Sequence, residues 1–185
     1  MEPDLNILIE RCKRNDPKAQ SEIYERFSSV MFAVCMRYSH CRDDAQDTFQ
    51  EAFIKAFQKI DSYNGDGSFE GWLRRIMVNK CMDKFRSKRL TIVTDNPQIY
   101  QEQEQELEEE EVELPYSNDE LISTIQELPD QYRLVFNMYV VENYTHAEIA
   151  ESLNISVGTS KSNLSRAKAW LRKELKKKYV KTNIA

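Results

Sequence analysis

Glycine and proline are scarce, at four and five residues in a chain of 185. So few breakers exclude a collagen-like or wholly disordered chain. The only close glycine pair is Gly65 and Gly67, so there is no glycine-rich phosphate loop. Long apolar runs are missing too. The best stretches, around Val30–Met36 and Val135–Val141, fall far short of the roughly 20 residues a membrane helix needs. The start, MEPDLNILIE, carries acids where an export signal carries bases. The four cysteines, Cys12, Cys35, Cys41 and Cys81, form no C-x-x-C pair, and the expectation is reduced, buried thiols. His40 beside Cys41 is too little for a zinc site, and His146 stands alone. No serine sits in an elbow between glycines, and no cluster of catalytic residues appears. The reading is no catalytic residue, no metal, no cofactor and no small-molecule substrate.

What is present is charge and helix-forming sequence. Charged residues make up 31% and hydrophobic residues 41%. The net charge of −5 hides a division. Residues 1–89 carry 16 basic and 14 acidic groups, and residues 121–185 carry 10 and 6. Residues 90–120 hold 11 acids and no lysine or arginine. Two weakly basic lobes thus flank an acidic strip, a sign asymmetry that points the lobes toward nucleic acid. The expected fold is all-α. An N-terminal helical bundle (1–89) and a C-terminal helix-turn-helix domain (117–185) are joined by an acidic flexible linker (90–116).

Asp16-Pro17 is a helix start, an N-cap carboxylate followed by proline at the first helical position. The helix after it repeats Ile23, Phe27, Val30, Met31 and Val34 on its inner face. A third helix, opening near Asp43–Asp44, buries Ala45, Phe49, Ala52, Phe53, Ala56, Phe57 and Ile60 at spacings of three and four. Its outer face carries Asp43, Asp44, Asp47, Gln50, Glu51 and Lys55; such a stripe by itself reads as a solvated face. DSYNGDG (61–67) is a loop, and Ser68 can cap a fourth helix, Phe69 to about Arg86.

Between residues 71 and 89 stand Arg74, Arg75, Lys80, Lys84, Arg86, Lys88 and Arg89 against Asp83 alone. Tyr63, Phe69, Trp72 and Phe85 are interleaved or adjacent. Cations hold phosphates, and aromatic faces stack on unpaired bases. Asn79 has both a donor and an acceptor for a base edge. The spacing of Phe69, Trp72, Ile76 and Phe85 fits plain core equally well.

In 102–113, eight glutamates and no base repel one another and predict a disordered or partly helical tether. Three readings of the strip are open: a negative surface in a positive channel of a partner, a cover for the chain's own basic lobes, or a solubilising spacer only.

The second lobe opens with a helix from Asn118 or Asp119 through Ile125, and Leu128-Pro129-Asp130 ends it. The next helix turns Leu134, Val135, Met138 and Tyr139 inward. Thr145-His146-Ala147-Glu148 is a capping box for a short helix, and Asn154-Ile155-Ser156 is a tight turn. Ser156 caps a last helix with Leu164, Ala167, Trp170 and Leu171 on its apolar face. That order is a helix-turn-helix. The expected outward residues are Ser156, Thr159, Ser160, Lys161, Asn163, Arg166 and Lys168. Arg172, Lys173, Lys176, Lys177, Lys178 and Lys181 extend the positive surface. A helix-turn-helix can also be a packing motif only.

The run DDAQDTFQEAFIKAFQKIDSYNGDGSFEGWLRRIMVNKCMDKFR resembles the second conserved region of sigma factors of bacterial RNA polymerase, closest to the extracytoplasmic-function (ECF) group. The run IQELPDQYRLVFNMYVVENYTHAEIAESLNISVGTSKSNLSRAKAWLRKEL resembles their fourth region. The resemblance covers nearly the whole chain outside the linker. It implies a subunit that binds core RNA polymerase and directs it to promoter DNA, in response to a stress or extracellular signal. Asp44, Asp47, Gln50, Glu51 and Lys55 would dock on the polymerase. Tyr63, Ser68 and Asn79 would capture a flipped base of the minus-ten element, and Arg75, Lys80, Lys84 and Arg86 would hold nearby backbone. The last helix would read the minus-thirty-five element. The resemblance also implies a cytoplasmic protein, in many relatives held at the inner membrane by an anti-sigma factor. Many relatives have Val and Arg where Ser160 and Asn163 stand, and often Arg at Lys161. The rivals are a dimeric helix-turn-helix regulator, which needs no polar docking helix, and a small helical adaptor or enzyme that uses the acidic strip to bind a cation or a basic protein.

Overall fold

The computed structural model describes the backbone of residues 4–91 and 117–184 and the side chains of 4–87 and 117–180. Every regular element among them is a helix. The chain divides into two compact units, Met1–Lys84 and Phe85–Ala185.

The first unit begins with α1 (Leu5–Lys13) and α2 (Pro17–Tyr38). As expected, Asp16 caps α2: its carboxylate accepts from the Lys18 N–H at 2.9 Å. The same carboxylate takes the Arg11 Nε–H at 2.9 Å, so one side chain ties both helices to their turn. The arginine bond holds the Asp16 pKa below the usual carboxylate range. α3 (Arg42–Gln58) and a 3-10 turn (Ile60–Ser62) follow, then α4 (Phe69–Thr91), which runs past the end of this unit at Lys84. Ile23, Phe27, Met31, Val34, Phe49, Phe53, Leu73 and Met77 form the core. Each such side chain contributes roughly 1.5–3 kcal/mol by leaving water.

Several expectations are corrected. Val30 is 41% exposed, although the helical period places it on the same side as Ile23 and Val34. Phe57 is half-buried, at the end of α3. Cys12, Cys35 and Cys81 are buried, but Cys41 is exposed, because it stands just outside α3 at the N-cap. Burial pushes the Cys12 thiol up to about 11, so it is inert at neutral pH.

The second unit contains α5 (Asn118–Gln126), α6 (Asp130–Phe136), a π-turn (Asn137–Val141), α7 (His146–Leu153) and α8 (Val157–Ile184). α5 starts from Ser117, whose hydroxyl accepts from Glu120 N–H while Glu120 accepts from Ser117 N–H. This capping box, with Ser117 as N-cap, sets the helix start at Asn118, one of the two expected positions. Thr145 and Glu148 form the expected box on α7. Asn154 turns the chain in the left-handed region at φ 52°, and the Ser156 hydroxyl caps α8 by accepting from Thr159 N–H at 2.9 Å. Ile125, Leu128, Tyr132, Ala167 and Leu171 make a core between α5, α6 and α8.

Tyr139 was expected to face inward and does not: it is 39% exposed. The π-turn fits extra residues into one turn and rotates the following side chains out of phase. Arg133 goes the other way, buried at 3% exposure. α4 extends to Thr91, two residues into the expected tether. The tether's remaining expected features (92–116) lie outside the described residues.

Candidate nucleic-acid and protein interfaces

Three ion pairs join α3 to α4. Lys84 Nζ sits 2.6 Å from Asp44 Oδ1, Lys80 Nζ 2.7 Å from Glu51 Oε2, and Lys55 Nζ 3.4 Å from Asp83 Oδ2. Lys84 also donates to the Asp44 carbonyl and to Thr48 Oγ1, both at 3.1 Å. Sequence reading placed Lys80 and Lys84 on DNA backbone and Asp44, Glu51 and Lys55 on a protein partner. The structure brings these groups together, with each charge facing another inside the unit. The Lys80 bond keeps the Glu51 pKa below the usual range.

Outside this ladder two faces remain. On α3, Asp43, Asp47 and Gln50 are exposed beside the Lys80-paired Glu51, and Ile54 stands among them at 60% exposure. Sequence reading missed Ile54; its one signal was an apolar residue out of phase with the Phe49/Phe53 stripe. On α4, Arg75 and Asn79 are exposed, while Arg86, past the end of the first unit, donates to the Ser152 carbonyl at 2.6 Å. Arg75 and Asn79, four apart, lie one above the other.

The loop before α4 is a built structure. Gly65 and Gly67 have φ of 90° and 80°, which side-chain-bearing residues rarely adopt. Tyr63 Oη donates to the Gly67 carbonyl at 2.9 Å, closing the loop. Its ring lies 5.3 Å from Phe69 and 5.7 Å from Trp72, and Phe69 and Trp72 lie 5.3 Å apart. Phe69 is buried, while Tyr63 and Trp72 are half-buried. Core and exposed aromatic surface are thus parts of one cluster. The exposed Ser68 caps α4 as expected, its hydroxyl accepting from Gly71 N–H at 3.1 Å.

On α8, Ser156, Lys161 and Lys168 are exposed and Thr159 and Arg166 half-buried. Ser160 and Asn163 are corrected: they are 0% and 4% exposed. They sit on the flank of α8 that turns toward its own unit. Ser160 Oγ meets His146 Nδ1 at 2.9 Å, locking the first residue of α7 to α8. His146 also stacks on Tyr139, with ring centroids 4.4 Å apart. Burial, then the nearby Lys161 charge, lowers the His146 pKa, so the imidazole stays neutral here at pH 7. The exposed face of α8 instead includes Val157, Gly158 and Ser165, which sequence reading passed over.

Among the described residues no cluster of His, Cys, Asp and Glu is placed to hold a metal ion, and no helix is long and apolar enough to cross a membrane.

A helix-turn-helix unit with a polar, partly cationic leading helix, paired with a helical unit carrying an aromatic loop and a cationic stripe, defines a DNA-binding protein of transcription. The Sigma-70 region 2 family matches residues 23–91, and the Sigma-70 region 4 family matches residues 118–171. The ECF RNA polymerase sigma factor SigW of Bacillus subtilis (strain 168) is 32% identical, over 95% of this chain and 99% of that protein. The RNA polymerase sigma-H factor of Pseudomonas aeruginosa is 28% identical, over 91% and 92%. The solved sigma factor RpoE, in complex with the anti-sigma factor NepR from Bartonella quintana, matches in fold with a TM-score of 0.51 at 21% identity, covering 84% of this chain and 96% of that one. The chain belongs to the ECF sigma factors of RNA polymerase. It directs transcription initiation.

Proposed function

We propose that the chain divides promoter recognition between its two lobes and performs no bond chemistry itself. Residues 1–89 dock on core polymerase through the outer face of α3 and engage the minus-ten element through the loop and α4. Residues 117–185 read the minus-thirty-five element as duplex through α8, and 90–116 tether the two. The observation that carries this reading is the half-exposed Tyr63–Trp72 aromatic surface under a glycine-shaped loop, on the helix that presents Arg75 and Asn79. Unstacking a base costs a few kcal/mol, and an aromatic pocket with an amide to read the base edge offsets that cost. Such a protein works in the cytoplasm under a stress or extracellular signal. A cognate anti-sigma factor, held at the inner membrane, would cover the same α3 and α8 faces.

Asn79→Ala tests the base-reading step. Asn79 is exposed and in mid-helix, so the fold should be unaffected. Open-complex formation should fall about ten- to hundredfold, the scale of about 1–3 kcal/mol for one good base contact, and preference at one minus-ten position should relax. Unchanged permanganate reactivity and base preference would move the pocket elsewhere.

Asp47→Lys tests docking. Asp47 is exposed and makes no ion pair among the described residues, unlike Glu51, whose loss would also release Lys80. Core affinity should drop about tenfold or more, with the circular dichroism spectrum unchanged. Retained affinity would remove this face from the docking surface.

A further inference from the structure

α8 has 28 residues, a length of about 42 Å, and the region 4 match stops at residue 171. The helix continues for more than three further turns. Lys161, Ser165, Lys168, Arg172 and Lys176 are all exposed, and their spacings of four, three, four and four put them on one stripe. From Lys161 to Lys176 that stripe rises about 22 Å. The major groove is only about 12 Å wide. A helix whose first turns lie in the groove therefore carries its later cations to the groove wall, where the phosphates are.

The cations beyond residue 171 are of two kinds. Lys177 pairs with Glu174 at 2.6 Å, and Lys178 bonds Glu127 at 2.8 Å and Thr124 Oγ1 at 3.0 Å. Those two fasten α8 to itself and to α5. Arg172, Lys173 and Lys176 are exposed and meet no carboxylate among the described residues. Arg172 and Lys176, four apart, repel each other along the helix, a cost that a polyanion removes. The helix dipole does not explain them, since its pull on cations is confined to the last turn. Nor are they on a frayed end: Leu175, on the inner face, packs with Trp170 against the core of Ile125, Leu128 and Tyr132. A packed helix presents these charges at a fixed spacing.

We propose that Arg172, Lys173 and Lys176 form a second DNA contact, gripping duplex phosphates beside the base-reading turns of α8. The site rests on the reading of α8 as the duplex-reading helix. It contributes affinity and not sequence preference, because phosphates are the same at every base pair.

The test uses the full-length protein with core polymerase on a promoter duplex, titrated across salt. In Arg172→Gln/Lys173→Gln/Lys176→Gln, the slope of log affinity against log salt should shrink by about two to three, near 0.9 for each phosphate contact. Affinity at low salt should fall tenfold or more, with base preference at the upstream element unchanged. Lys177→Gln, which removes a cation already paired, should leave the slope alone. Lys161→Ala should weaken upstream duplex binding. An unchanged slope in the triple variant, with Lys161→Ala still acting, overturns the second contact and leaves the base-reading helix in place. If neither variant affects upstream DNA, it is the parent reading of α8 that falls. A triple variant that loses core polymerase affinity with its slope intact also overturns the proposal, since the surface would then face an acidic protein.

Discussion

Replacing Arg133 with methionine should lower the stability of the second unit by about 2–3 kcal/mol, a fall in melting temperature of roughly 10–20 °C. Arg133 is 3% exposed. One guanidinium nitrogen donates to the carbonyls of Gln126 and Leu128, at 2.9 and 2.8 Å, and the other to the Asp130 carboxylate. Those carbonyls are the orphans left where α5 ends, because Pro129 cannot continue the helix. Pro129 also has no side chain with which to cap α6. Arg133 thus closes the end of one helix onto the start of the next. Methionine fills much the same volume and removes a costly buried charge, which moderates the loss. It still removes the guanidinium's bonds to two carbonyls and a carboxylate. Lysine should rescue little, since a single ammonium cannot reproduce the planar fork. Thermal melts followed by circular dichroism decide the matter. A methionine variant melting with the parent would mean that water replaces the guanidinium at no cost.

The contrast between Arg133 and Thr145 shows what the sequence makes legible. Thr145–Glu148, Asp16–Pro17 and Ser68 are local: a side chain bonds a backbone group two or three residues away, and residue type and spacing suffice to read it. The helix-turn-helix was legible for the same reason. The phase of α8 within its unit was not. Ser160 and Asn163 look suited to a polar surface, yet they face inward, because His146 on α7 supplies the polar partner for Ser160. Tyr139 fails as a core residue because a π-turn shifts the helical phase, and no residue type announces one. The ion-pair ladder of the first unit is the deepest case. Lys84 and Asp44 stand 40 residues apart, so charge pattern could assign each to a face but could not match them.

That ladder separates two kinds of lysine and arginine on α4, and substitution should show the difference. An ammonium group has three N–H donors. Lys84 directs them at Asp44 Oδ1, the Asp44 carbonyl and Thr48 Oγ1, with its side chain 30% and that of Asp44 20% exposed. It is a positioning residue that fixes α4 on α3. Lys84→Met should cost about 2 kcal/mol, the scale of a charge-assisted network that is partly screened, and lower the melting temperature by about 10 °C. Asp44→Asn should cost less, because the carbonyl and hydroxyl acceptors remain. The double variant should lose less than the sum of the two, since each single change removes the same ion pair. Arg75 should behave in the opposite way. It is exposed, so Arg75→Gln should leave the melting temperature within about 2 °C of the parent, an effect under about 0.5 kcal/mol. The same change should reduce the salt slope of promoter binding by about one. Lys84→Met, assayed well below its melting point, should leave that slope unchanged. A smaller slope for Lys84→Met would show that the lysine leaves Asp44 for a phosphate when DNA arrives, and α4 would then have to be held on α3 by Lys80–Glu51 and Lys55–Asp83 alone.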